Sequence, residues 1–170
     1  MAVLNTILGK GPSSLLFQKI REEAGLSYSV CSFIEYFEDT GVWGIFAGTE
    51  PDKTVKFYRI LQDILQDLRN NPLPETLIEE TVTGLCGRLL LENDSISAML
   101  TRLAETELFA KRYIPTAEAI EKLKKVTAED LIQLSQELFN PDKIVGLALG
   151  PVKKAGLPDW LEPVEGKVEW

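Results

Sequence analysis

Histidine is absent from this 170-residue sequence, and the gap excludes more than any other feature of the composition. Without imidazole there is no His-dependent zinc site, no serine or cysteine triad with a histidine base, and no general acid or base tuned near neutral pH. Cysteine is scarce as well. Cys31 and Cys86 are the only two, far apart and with no CxxC, so neither a disulfide framework nor a thiolate metal site is indicated, and both read as small buried hydrophobes. No apolar run is long enough to span a bilayer. Positive charge is in deficit: 18 Lys and Arg face 26 Asp and Glu, a net charge of −8. A nucleic-acid partner needs clustered basic residues, and here they are scattered among more numerous acids, a balance that favours basic peptides. The start MAVLNTILGKG lacks a basic n-region and a small-residue cleavage site, so no signal peptide is read and the compartment stays open, with a cytoplasmic one favoured.

What is present centres on residues 9–48. Pro12, Ser13 and Ser14 open a predicted helix, with serine able to accept from free amides of the first turn and proline having no N–H to leave unpaired. Leu16, Phe17, Ile20 and Ala24 follow at helical spacing, and Gly25 supplies the left-handed residue that ends helices. A strand is predicted from Tyr28 to Phe37, with Tyr28, Val30, Ile34 and Tyr36 on one face and Phe33 and Phe37 on the other, so that both faces are expected to be covered over part of its length. Asp39-Thr40-Gly41 is the turn, and Val42 to Thr49 the returning strand.

Further along, Val55, Tyr58, Leu61, Leu65 and Leu68 line one side of a helix, and Ile78, Val82, Leu85, Cys86 and Leu89 form a stripe on the next. Asp94 or Ser95 caps a third, with Met99, Leu100 and Leu103 expected inward. Thr127-Ala128-Glu129-Asp130 is a capping box. Ile144 to Leu149 reads as a short strand returning to the first two. This order predicts an α+β domain over residues 1–150, an antiparallel sheet with helices packed on one face. Residues 151–170, rich in Pro, Gly and charge, read as a tail or docking segment in which Trp160 and Trp170 are candidate anchors.

Two residues carry candidate chemistry. Gly25 reverses the chain between Arg21 and Tyr28, so a guanidinium at the helix end and a phenol at the strand start can face one space. Arginine offers a planar fork to a peptide carbonyl or carboxylate, and the tyrosine O–H can donate to a carbonyl oxygen as it gains charge. Taken alone, without any resemblance, Arg21 beside Glu22 and Glu23 reads first as a solvated helix face, and Tyr28 as a half-buried strand residue. The run GKGPSS at residues 9–14 is not a phosphate loop, since it fails the G-x-x-x-x-G-K-[ST] spacing, and reads as a kink between helices. The paired glutamates 79–80, 105 and 107, and 118 and 121 read as exposed helix faces.

The succession LNTILGKGPSSLLFQKIREEAGLSYSV, then DTGVWGIFAGT, PETLIEETVTGLCGRLLLENDSISAMLTRLAETELF and VTAEDLIQLSQELFNPDKIVGLALGP resembles the second, zinc-free domain of the insulinase/pitrilysin metallopeptidases. That family includes the mitochondrial processing peptidases and their bacterial relatives. The resemblance runs over roughly residues 3 to 151. It implies that Arg21 and Tyr28 reach across a chamber to substrate held at a zinc carried by another domain or subunit. The family's His-x-x-Glu-His is absent, so no catalytic residue, no cofactor and no activity are expected of this chain alone. The partners implied are a zinc-bearing peptidase domain or subunit and a peptide, with no nucleic acid and no membrane; a dimer is possible. The same resemblance leaves open a scaffold subunit of this fold with no peptidase role. The family's domain begins with a strand that is missing here, which implies either a truncated chain or an unusual start, and a missing first strand would leave a bare sheet edge.

Overall fold

Helix α1, Ala2–Gly9, is the centre of the core, because nearly every side chain on it meets another element. The computed structural model describes residues 1–152, 156–157 and 161–164. Val3, Leu4, Ile7 and Leu8 are buried on α1, against β1 (Ser27–Tyr36) on one side and α3 (Glu75–Glu92) on another. Gly9 is where α1 approaches β1 most closely: a Cβ there would collide with the backbone nitrogen and side chain of Ser32. Asn5, also buried, is satisfied in place. Its carbonyl accepts from Ser32 Oγ at 3.0 Å and its Oδ1 from Trp43 Nε1 at 3.1 Å, removing the desolvation penalty an unpaired amide would carry.

β1 pairs antiparallel with β2 (Gly41–Thr49) through the turn at Asp39 to Thr40, closed by a 2.9 Å bond from the Phe37 N–H to the Thr40 carbonyl. Behind this hairpin lie α2 (Thr54–Asn70) and α6 (Ala128–Leu138), which pack on each other, and Phe139 at the end of α6 meets the Trp43 ring at 5.0 Å. The capping box forms as expected: Thr127 Oγ1 accepts from the Asp130 N–H and the Asp130 carboxylate from the Thr127 N–H. The α3 stripe is inward too, with Ile78, Val82 and Cys86 buried. The architecture is therefore α+β, a small antiparallel sheet with helices on one face.

Four expectations are corrected. The outer face of the hairpin is uncovered: Phe37, Val42 and Phe46 are about half exposed, and Cys31, expected buried, lies on that face. Phe33 instead folds its ring over its cross-strand partner Gly44, where a Cβ would overlap it. Met99, Leu100 and Leu103 on α4 (Ile96–Ala110) do not point into the core; no residue of α4 is buried. Strand β3 (Gly146–Leu149) does not return to the first two strands. It pairs in parallel with β4 (Leu161–Val164), so a stretch read as tail supplies its hydrogen-bond partner and a second two-stranded sheet results. Finally, Ser14 does not accept from free amides: its Oγ donates back to the Gly11 carbonyl at 2.8 Å, and the helix starts only after it. Trp160 and Trp170 lie outside the described residues.

Candidate functional site

The segment Phe17–Glu23 is not an ordinary α-helix but a π-helical stretch, a form found mostly as short insertions and frequently at functional sites. It ends at Gly25, whose φ of +60° is the left-handed conformation expected there, and the Leu26 N–H reaches back to the Ile20 carbonyl at 3.0 Å. Thr49 Oγ1 donates to the Leu26 carbonyl at 2.6 Å and ties this reversal to the end of β2.

β1 begins with a bulge. Ser27 pairs with Thr49 and Ser29 with Gly48, leaving Tyr28 as the extra residue between them. Ser27 Oγ lies 2.8 Å from the carbonyls of both Ser29 and Gly48 and bridges the irregularity. A bulge re-aims one side chain, and here it turns Tyr28 out to 83% exposure. The half-buried strand position read from alternation is thus not what the fold makes of it.

The same geometry brings Tyr28 and Arg21 together. The Arg21 guanidinium carbon lies over the Tyr28 ring, 4.5 Å from its centroid, and over the Phe17 ring, also at 4.5 Å. Arg21 Nη1 donates to the Tyr28 carbonyl at 3.1 Å, and Nε faces the Glu22 carboxylate at 3.6 Å. Cation–π contact of this kind is worth about 0.5–1 kcal/mol at an exposed site and more when water is excluded. Phe17 is the residue that the sequence leaves among the apolar positions of the helix, and the signal that points to it is its spacing of four from Arg21, which puts the two on one side of a helical turn.

Elsewhere, an open groove of about 640 Å³ runs along α3, lined by Ile78, Val82, Cys86, Leu90, Lys124 and Val126. Glu79, Thr83 and Lys124 add polar groups to its lining, and Arg21 is not among the lining residues. Among the described residues no three Cys, Asp or Glu side chains gather in a way that would hold a metal ion, and no helix is long and apolar enough to cross a membrane.

Residues 1–85 match the family model described as the peptidase M16 inactive domain. Over 153 residues the chain is 31% identical to an uncharacterized zinc protease of Streptomyces coelicolor, covering 90% of this chain and 33% of the relative. Over 147 residues it is 31% identical to an uncharacterized zinc protease of Bacillus subtilis, covering 86% and 36%. The chain therefore spans about a third of the length of these relatives. The crystal structure of a peptidase M16 inactive domain from Pseudomonas fluorescens shares the fold with a TM-score of 0.71 at 18% identity, over 80% of this chain and 32% of that one.

Proposed function

Because the chain belongs to the peptidase M16 inactive-domain family, we propose that it is the non-catalytic, substrate-binding half of a zinc metallopeptidase, with the zinc carried by another domain or subunit. In this reading Arg21 and Tyr28 contact the peptide held at that zinc. The observation that carries it is the paired presentation of the two donors. A helix end and a bulged strand start set a guanidinium against a phenol ring, and the bulge turns the phenol into solvent. Arg21 supplies N–H groups to a peptide carbonyl or carboxylate in its plane. Tyr28 O–H donates to a carbonyl oxygen as it takes on charge. The apolar residues left bare on α4, Ile96 and Leu100 foremost, support a fold that works against a second half. A scaffold subunit would have no use for an exposed tyrosine thrown out by a bulge, which is why the peptidase reading is preferred.

The test is kcat/KM of the chain assembled with the zinc-bearing half from its own genome, on a pool of internally quenched peptides. Tyr28→Phe and Arg21→Ala are each expected to lower it by about a hundredfold or more, as when a donor to a developing oxyanion is removed. Melting temperatures should hardly move, since neither side chain belongs to the core. Full activity in both variants moves the chain to the scaffold role.

A further inference from the structure

We propose that Phe17 is a positioning residue for Arg21: its ring is one jaw of a clamp that leaves only the edge of the guanidinium open, so that peptide oxygens are accepted in the guanidinium plane and from one side. The proposal rests on the peptide-binding reading of Arg21 and Tyr28 and adds a residue to it.

Phe17 is half-buried, yet it does not pack against the hydrophobic core as Leu16 and Ile20 beside it do. What it touches is Arg21, one turn further along the π-helical stretch, at 4.5 Å from ring centroid to guanidinium carbon. With Tyr28 at the same distance, two aromatic rings attend one guanidinium. The edge is partly committed as well: Nη1 holds the Tyr28 carbonyl and Nε faces Glu22. Nη2 has no partner among the described residues, so the donors left for a ligand sit at the Nη end. An arginine free to rotate would have to lose that freedom on binding; one already stacked on two rings has lost it before the ligand arrives. Leucine at position 17 keeps the bulk but has no ring face to attract the cation, whereas tyrosine keeps the face.

The experiment is a double-mutant cycle in the assembled enzyme on the same quenched-peptide pool, with Phe17→Leu, Phe17→Tyr and Arg21→Ala. Phe17→Leu should lower kcat/KM by about fivefold, the size of one exposed cation–π contact, and Phe17→Tyr should restore it to near the parent value. In the Arg21→Ala background Phe17→Leu should cost nothing more, because its effect passes through Arg21; an equal loss in both backgrounds would overturn the proposal. A second measurement needs only the chain itself. The Nε–Hε resonance of Arg21, displaced by the two ring currents, should move toward the free-arginine position in Phe17→Leu and stay in Phe17→Tyr, and an unmoved resonance would equally overturn it. If Arg21→Ala and Tyr28→Phe leave activity intact, the peptide-binding reading falls, while the Arg21 resonance still decides the clamp.

Discussion

Helices α1 and α4 are both rich in apolar residues, yet six of the eight residues of α1 are buried and none of the fifteen of α4 is. The difference is in their neighbours. α1 is enclosed by β1 and α3, with Gly9 removing even the bulk of a Cβ from the contact. α4 is held from its middle to its C-terminal end by polar and ring contacts. Arg102 Nη2 donates to the Ile114 carbonyl at 2.9 Å, Phe109 meets the Tyr36 ring at 5.9 Å, and Lys111, itself in the left-handed conformation, approaches Glu38 at 3.7 Å. Ile96 at 86% exposure and Leu100 at 65% precede all three fastenings along the helix, and Leu91 at the end of α3 is exposed as well. Ile96, Leu100 and Leu103 recur at i, i+4 and i+7 and so share one face of α4, and apolar residues gathered in this way mark an interaction site rather than a scatter of surface hydrophobes. An amphipathic period therefore reports that a helix has an apolar face, while the fold alone reports whether the same chain covers it.

The widest separation between the two helices should appear on truncating matched leucines. Leu8→Ala, at a fully buried position of α1, is expected to destabilise by about 2–5 kcal/mol through lost burial and the cavity left behind. Leu100→Ala on α4 should stay within about 0.5 kcal/mol. Urea unfolding of the two variants makes the comparison, and equal losses would mean that α4 is covered within this chain.

A smaller effect is expected when the bare face is made polar. Ile96→Gln together with Leu100→Gln should leave the unfolding curve nearly in place but weaken association with the zinc-bearing half by about tenfold or more, as loss of apolar contact at an interface centre does. Sedimentation of the mixture reads this. If the pair of changes instead abolishes a concentration-dependent self-association of the chain, the face belongs to a second copy.

The smallest effect concerns the polar fastening just beyond α4. Glu118 on α5 (Thr116–Leu123) accepts from Arg112 Nη1 at 2.8 Å and lies 3.0 Å from Lys122 Nζ. These hydrogen bonds, Arg112 first and Lys122 second, push its carboxyl down from 4.5 to about 2. A carboxyl held low in the folded state stabilises fully above its unfolded value near 4.5 and loses that contribution as pH falls toward 2. The group is solvent-exposed, so salt should shrink the effect. Carbon-detected titration of Glu118 at low and high salt measures it, and Arg112→Gln should return the carboxyl toward its ordinary value while leaving Leu8 and its surroundings unchanged.

Features set by a few neighbouring residues were legible from the chain. The Thr127 to Asp130 box, the Gly25 stop, the turn before Gly41 and the Ile78–Val82–Cys86 stripe stand where spacing put them. Arg21 and Tyr28 could be paired across Gly25 for the same reason, since seven residues with a glycine reversal between them confine both to one corner. What the chain did not reveal about that corner is its stacking. In the sequence Phe17 is one more apolar residue on the helix, and strict alternation makes Tyr28 half-buried only if it runs through the point where the register slips.

Residue order by itself thus determined where most of the helices run, the caps at Ser95 and Thr127, the β1–β2 hairpin, the family, and the lack of any histidine with which to hold a catalytic zinc. All of these rest on interactions within a turn or two of chain, or on composition. Tertiary structure alone decided that the bulge at Ser27 to Ser29 exposes Tyr28, that β3 takes β4 rather than β1 or β2 as its neighbour, and that α4 keeps its apolar face to the outside. Each of those depends on which distant segment supplies a hydrogen-bond edge or an apolar surface, and local periodicity is the same whichever segment that proves to be.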